Sequence, residues 1–272
     1  MLYLCATPIG NLEDMTFRAI RILREVDLIA AEDTRRTRKL LTHFEIHTPL
    51  IRFDENCKSQ VAEKILERLK TGESVAVVSD AGLPAISDPG ADLVRLAIDA
   101  GIQVCPIPGS NAALSALICS GLDTTQFLFA GFAPKSKKNR RDFLQKLSTI
   151  EATIIFYEAP HRLKDFLSEL IEVFGERRAV LARELTKVHE EFLRGNLSEL
   201  IQTLDEIRGE FVVVVEGKTF SEVVAPEENI SEVVERFLAQ GLDKKSAMRE
   251  AAKIFNVSRR EIYNALLKED NS

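Results

Sequence analysis

The sequence predicts an α/β protein: two α/β domains with mainly parallel sheets, plus a small C-terminal three-helix segment. Three observations carry this expectation. Short apolar runs rich in β-branched residues alternate with segments of helical period, the alternation occurs in two successive series, and it stops after Gly217. A chain of 272 residues is long for one small domain and gives two units a core each.

In chain order, residues 2–6, 28–31, 74–79 and 103–107 read as buried strands. Between them Phe17, Ile20 and Leu23, then Val61, Ile65 and Leu69, then Leu93, Leu96 and Ala97 recur at helical spacing. Strand and helix alternation of this kind implies parallel strands joined by crossover helices. The first domain is therefore placed at 1–117. The second, 118–217, has strands at 127–130, 153–157, 179–185 and 211–216, with helices near 140–147, 163–174 and 197–207. Residues 218–229 hold a proline and mixed charges without a period and read as a linker. Residues 230–272 carry three helical patterns, at 230–238, 245–255 and 258–267. Ser258 is the expected cap of the last, and the pair resembles a helix-turn-helix, although a packing hairpin fits equally well.

Composition excludes several classes. With 45% hydrophobic and 29% charged residues the chain is neither disordered nor fibrous. No run of eighteen apolar residues occurs, and Pro8 and Gly10 interrupt the N-terminal apolar stretch, so a soluble, cytoplasmic protein without membrane contact is expected. Cys5, Cys57, Cys105 and Cys119 form no C-x-x-C pair and read as reduced thiols. His43 and His47 stand four apart without a third ligand in view, so no metal is expected. The net charge of −6 opposes a uniformly basic coat, yet two stretches are basic: Arg35, Arg36, Arg38 and Lys39, and then Lys135, Lys137, Lys138, Arg140 and Arg141. Either is a solvated face or a phosphate contact. From Ala225 onward eight Lys and Arg stand against nine Asp and Glu, a balance that disfavours a DNA reader.

Three loops follow strands of the first series, where open α/β sheets bind ligands. Thr7-Pro8-Ile9-Gly10-Asn11-Leu12 lacks both the G-x-G-x-x-G and the Walker pattern and, taken alone, is a turn. Residues 79–90 hold two Gly, two Pro and two Asp in twelve positions, more than a connection requires. Gly82 permits close backbone approach, Pro89 suits the first turn of the next helix, Asp88 is a cap, and Asp80 can accept hydrogen bonds from a ligand. In Ile107-Pro108-Gly109-Ser110-Asn111-Ala112, Ser110 and Asn111 are caps or ligand donors.

These stretches, with Glu32-Asp33-Thr34-Arg35, Phe156-Tyr157-Glu158-Ala159-Pro160-His161-Arg162 and Arg183-Glu184-Leu185-Thr186-Lys187, resemble the rRNA-modifying branch of the tetrapyrrole methylase family. The resemblance spans residues 1–217 and extends into the C-terminal helices. It implies a homodimer whose two α/β domains enclose S-adenosylmethionine in a cleft. It also implies methyl transfer to the ribose 2′-oxygen of a cytidine in the decoding region of 16S rRNA, so that the rRNA or the small ribosomal subunit is the partner. The cofactor residues it implies are Pro8, Gly10, Asp80, Ala81, Gly82, Ile86, Ser110, Asn111, Tyr157, Leu185, Thr186 and Phe211. Many family members carry Ser or Thr where Asn111 stands and Gly-Asp-Pro where Asp80-Ala81-Gly82 stands, which argues against a porphyrin substrate.

A ribose hydroxyl is a weak nucleophile, so a base or a cation near the developing alkoxide would help. Candidates at strand ends are Glu158, Arg35, Arg183 and Lys187, with Glu32, Asp33, His161 and Glu184 beside them; each could instead satisfy an ion pair, as Glu158 with Arg162 or Glu184 with Lys187. The five cations of 135–141 are the expected RNA contacts. Alternative readings are a small-molecule tetrapyrrole methyltransferase and a nucleotide-sensing DNA-binding regulator.

Overall fold

A computed structural model describes residues 1–86, 88, 90–204, 209–219, 229–255, 257 and 259–269. The expected helix-opening Pro89, the end of the helix at 205–207, most of the linker and the cap Ser258 lie outside the described residues. The chain forms two compact units, Met1–Lys218 and Thr219–Ser272.

The first series builds one sheet from β1 (Leu2–Cys5), β2 (Leu28–Ala31), β3 (Leu50–Arg52), β4 (Val75–Val78) and β5 (Val104–Ile107), in the order β3-β2-β4-β1-β5. Every pairing is parallel. Both faces are covered, which is why its strands read as unbroken apolar runs. Cys5, Ile29, Ala31, Ala76 and Val78 pack against α1 (Phe17–Glu25) and α2 (Thr34–His43). Leu2, Leu28, Ala30, Val75 and Val77 pack on the opposite face against α3 (Lys58–Lys70) and α4 (Gly90–Asp99). The chain leaving β1 therefore runs to one face and the chain leaving β4 to the other, which opens a crevice at their carboxyl ends. Thr7 and Gly82 join the two departing loops through reciprocal backbone hydrogen bonds of 2.9 and 3.0 Å.

The second series follows α5 (Ala112–Ile118). It comprises β6 (Phe127–Phe132), α6 (Lys137–Leu147), β7 (Thr153–Glu158), α7 (Leu163–Phe174), β8 (Arg178–Arg183), β9 (Glu191–Asn196), α8 (Leu197–Thr203) and β10 (Phe211–Val215). The strand order is β6-β7-β10-β8-β9. Only β6 and β7 pair in parallel; β10 runs antiparallel to both β7 and β8, and β9 antiparallel to β8. Five of the eight strand pairings described across the two sheets are thus parallel, and the antiparallel ones are confined to the second. The link from β8 to β9, residues 184–190, is too short for a parallel crossover, which needs about a dozen residues or more. Alternate side chains of this sheet enter two cores. Phe156, Leu181 and Val213 face α6, α7 and α8, whereas Ile155, Val180 and Val212 face Ala113, Ala116 and Leu117 of α5. Helix α5, made by the chain between the sheets, in this way ties the second sheet to the loops of the first.

The second unit holds α9 (Ile230–Ala239), α10 (Lys244–Ile254) and α11 (Arg259–Glu269) around Val233, Val234, Ala247, Ala251 and Ile262. A capping box between Asn229 and Glu232 sets the start of α9. Among the described residues no helix is long and apolar enough to cross a membrane.

Candidate active site

A cavity of about 340 Å³ lies between the carboxyl-end loops of the first sheet and the second sheet. Ile9, Ala81, Gly82, Leu83 and Ile86 wall it from the first sheet's loops, and Asn111 and Ala112 from the start of α5. Opposite them stand Phe132, Tyr157, Ala182, Glu184, Leu185, Lys187 and residues 209–212. Its size suits a small organic ligand. Of the cofactor residues implied by the resemblance, Ala81, Gly82, Ile86, Asn111, Tyr157, Leu185 and Phe211 line it together.

The loops meet tightly because glycines allow it. A Cβ on Gly10 would lie 2.8 Å from Lys187 Cγ and Thr186 Oγ1 and 2.9 Å from the carbonyl of Leu185. Gly82 has φ +78 and passes the carbonyl of Ser110, where a Cβ would approach to 3.3 Å. Among the described residues four non-glycines have positive φ, and three of them, Ala85, Glu184 and Thr186, sit on the loops around this cavity. Such conformations cost about 1–3 kcal/mol each and collect where a ligand is held. Ser110 and Thr186 adjoin the wall at Asn111 and Leu185 without lining the cavity, and their hydroxyls are buried with no hydrogen-bond partner among the described residues. A bound polar group would satisfy them.

Asn111 is a cap: its Oδ1 accepts from Leu114 N–H at 2.9 Å at the start of α5, and the residue also lines the cavity. Tyr157 meets Phe129 and Phe132 edge-on, at 5.0 and 5.4 Å between centroids, and burial pushes its phenol pKa up. Asp88 accepts from the N–H groups of Gly90 and Ala85, both at 2.8 Å, so its carboxylate caps α4.

Pro8, Gly10 and Asp80 line an adjoining recess with Arg36, not the cavity itself. Asp80 Oδ1 accepts from Asp33 N–H at 2.9 Å, and Oδ2 lies 3.3 Å from Arg36. This carboxylate staples the loop after β4 to the loop after β2. Beyond it, Glu32, Asp33, Arg35, Arg52 and Asp54 form a polar recess in which burial, aided by the charges of Asp80 and Asp88, raises the pKa of Glu32. Among the described residues no group of three or more His, Cys, Asp or Glu is placed to hold a metal ion.

The four catalytic candidates separate. Lys187 lines the cavity, with Nζ 3.0 Å from Glu184 Oε1. Arg35 is exposed in the polar recess and bonded to Asp33. Arg183 pairs with Glu191 on β9. Glu158 is 1% exposed: Oε1 accepts from Ala159 N–H at 2.8 Å, Oε2 faces Arg162 at 3.4 Å, and burial raises its carboxyl pKa. Neither Glu158 nor Arg183 borders the cavity. The expected RNA contacts also divide. Lys135, Lys137, Lys138 and Arg141 are exposed on the loop and first turns after β6, whereas Arg140 donates two bonds, 2.6 and 2.7 Å, to Glu169 and is largely buried. Arg140 anchors α6 on α7; its guanidinium is already held by that carboxylate.

Sequence reasoning missed Phe132, Ala182, Gly209, Glu210 and Val212. Ala182 and Val212 were legible as the cavity-side members of alternating strands. Phe132 depends on a bulge between Phe129 and Gly131 that carries no sequence signal. Gly209 has φ +77, and a Cβ there would strike Glu184 Oε1; a Gly-Glu pair opening a wholly apolar strand was the available clue.

Residues 1–201 match the model of the tetrapyrrole (corrin/porphyrin) methylases. The chain is 51% identical to the ribosomal RNA small subunit methyltransferase I of Halalkalibacterium halodurans, covering 98% of this chain and 95% of that one. It is also 51% identical to the protein of the same name from Bacillus subtilis, over 97% and 93%. Among solved structures, a uroporphyrin-III C-methyltransferase from Thermus thermophilus, complexed with S-adenosylhomocysteine, matches 79% of this chain and 96% of its own with a TM-score of 0.58 at 16% identity. The two-sheet fold, the family model and the near full-length relatives agree, and the chain belongs to the tetrapyrrole methylase family.

Proposed function

We propose that this protein transfers the methyl group of S-adenosylmethionine to the 2′-oxygen of a cytidine ribose in the decoding region of small-subunit rRNA. The observation that carries the reading is the 51% identity, over nearly the whole chain, to relatives named ribosomal RNA small subunit methyltransferase I. The cavity supports it. A backbone bared at Gly82, carboxylates at Glu184 and Glu210, and two unpartnered buried hydroxyls on residues next to the wall suit a ligand that is polar at its edges and cationic at one centre. When bound, S-adenosylmethionine supplies an electrophilic methyl on a sulfonium.

The chain's own residues then bind and orient. Ser110 and Thr186 donate or accept hydrogen bonds, Phe132 and Tyr157 offer apolar walls, and the acidic residues favour positive charge. Alignment of donor and acceptor supplies much of the rate in an in-line displacement. Of the four candidates, Lys187 takes the role of steadying the developing alkoxide. Arg35, in the recess beyond Asp80, holds the substrate side, and Glu158 and Arg183 fix the loops that carry the wall. Lys135, Lys137, Lys138 and Arg141 contact rRNA phosphates. The C-terminal helices, with Arg249, Arg259 and Arg260, serve as a docking module for RNA or the small subunit. A homodimer in the cytoplasm is the assembly that the family resemblance implies, and sedimentation equilibrium tests it.

Mass mapping of small-subunit rRNA from a deletion strain tests the function. One 2′-O-methylcytidine of the decoding region should disappear and return on complementation. An unchanged methylation map would refute the reading.

A further inference from the structure

The basic run on α2 belongs to neither the cavity nor the core. At about 100° per residue, Arg38, Arg35, Lys39 and Arg36 fall on one arc of about 160°. Thr37, Leu40 and Leu41 bury the opposite side. All four cations are exposed. Their placement does not serve the helix: the first turn carries no acidic residue, and cations there oppose the helix dipole. Arg35 and Arg36 are held by Asp33 and Asp80, the staple whose next residue, Ala81, lines the cavity. The cationic arc thus starts one loop's width from the reacting site and runs outward through Arg38 and Lys39.

We infer that the outer face of α2 is the track on which the phosphate backbone of the substrate rRNA lies. The proposal rests on the rRNA-methylating reading above and names the surface that delivers the RNA to it. Polyphosphate binding needs several cations on one open face, and α2 presents four on one exposed arc beside the loops that carry the cavity wall, which adds a second basic surface to the four exposed cations after β6. Among the described residues no carboxylate pairs with Arg38 or Lys39, so these two carry the phosphate contacts.

The test is fluorescence-anisotropy binding of the full-length protein to a small-subunit rRNA transcript over a range of KCl concentrations. The double variant Arg38→Gln/Lys39→Gln should bind more weakly. Its slope of log affinity against log salt should be shallower by about 1.4–1.8, from about 0.7–0.9 per lost phosphate contact. The same charge change on the other face of the sheet, Lys64→Gln/Lys70→Gln on α3, should leave the slope near the wild-type value. Both variants alter exposed side chains and should melt within about 2 °C of the parent. A wild-type slope in the α2 variant, or an equal loss in the α3 variant, would overturn the proposal while leaving the rRNA reading standing. A parent protein without salt-dependent affinity for the transcript would overturn both.

Discussion

Replacing Gly10 by Ala should loosen the cavity without unfolding the protein. The backbone of Gly10 lies outside the left-handed region, so the substitution introduces a methyl group and no torsional strain. That methyl would sit 2.8 Å from Lys187 Cγ and Thr186 Oγ1 and 2.9 Å from the Leu185 carbonyl. The Leu185 contact is backbone and cannot swing aside, so the loop 184–187 must retreat. Overpacking of this kind costs about 1–3 kcal/mol. In the isolated protein the loop 184–190, exposed from Lys187 onward, can absorb the shift; in the ligand-bound state Leu185 must return to the wall. The cost then falls on binding, as an affinity for S-adenosylmethionine about 5- to 150-fold weaker. Isothermal calorimetry measures this, with urea unfolding beside it. Gly72→Ala is the reference: Gly72 has φ +96 with nothing within 4 Å, so it should lose about 1–2 kcal/mol of stability and no affinity. An affinity within twofold of the parent in a folded Gly10→Ala protein would refute the argument that the two loops close the site together.

Ser110→Ala removes a buried hydroxyl that has no partner, so unfolding should be unchanged or slightly harder while cofactor affinity falls by about 0.5–1.5 kcal/mol; equal loss of both in calorimetry and urea melts would contradict this. Arg140→Ala strands the buried Glu169 carboxylate and should cost about 3–5 kcal/mol in urea unfolding, whereas the Arg140→Leu/Glu169→Leu pair should recover most of it; a loss under 1 kcal/mol would return Arg140 to the RNA-facing set. Asp54 is held at a pKa of about 2, first by its hydrogen bond with the Cys57 side chain and then by Arg52, below the ordinary value near 3.9. Because the folded value is the lower one, its contribution is present above about pH 4 and is lost as pH falls toward 2; Asp54→Asn should flatten the acid limb of the stability curve in that window. Truncation after Lys218 should leave cofactor affinity intact and reduce methylation of the small subunit, since residues 219–272 form a separate unit with its own core.

Most of the first sheet was legible because its strands are buried on both faces and its loops fall at their carboxyl ends. The elements that escaped did so for identifiable reasons. Helix α2 has two leucines in ten residues, Leu40 and Leu41, too few to show a period. Strand β3 is three residues long, and β9 carries Glu191, Arg194 and Gly195 at the sheet edge, where pairing with β8 rather than apolar content makes a strand. Strand direction in the second sheet was not readable from apolar runs; it follows from the short β8–β9 link and the insertion of β10 between β7 and β8. For the site, seven of the residues that the resemblance implies line one cavity, but the role of a charge depends on its partner. Asp80, Arg140 and Glu158 look alike in sequence as exposed functional groups, and in the structure each is engaged, by Asp33 and Arg36, by Glu169 and by Arg162.

The proposed reaction moves a methyl group from S-adenosylmethionine to a ribose oxygen of small-subunit rRNA. Incubating the purified protein with methyl-deuterated S-adenosylmethionine and unmethylated small subunits, followed by nuclease digestion and mass spectrometry, tests it most directly. Label is expected in one 2′-O-methylcytidine from the decoding region, and should be lost in Gly10→Ala at a limiting cofactor concentration. Label on a base, or no label in RNA from a protein that binds the cofactor, would contradict it.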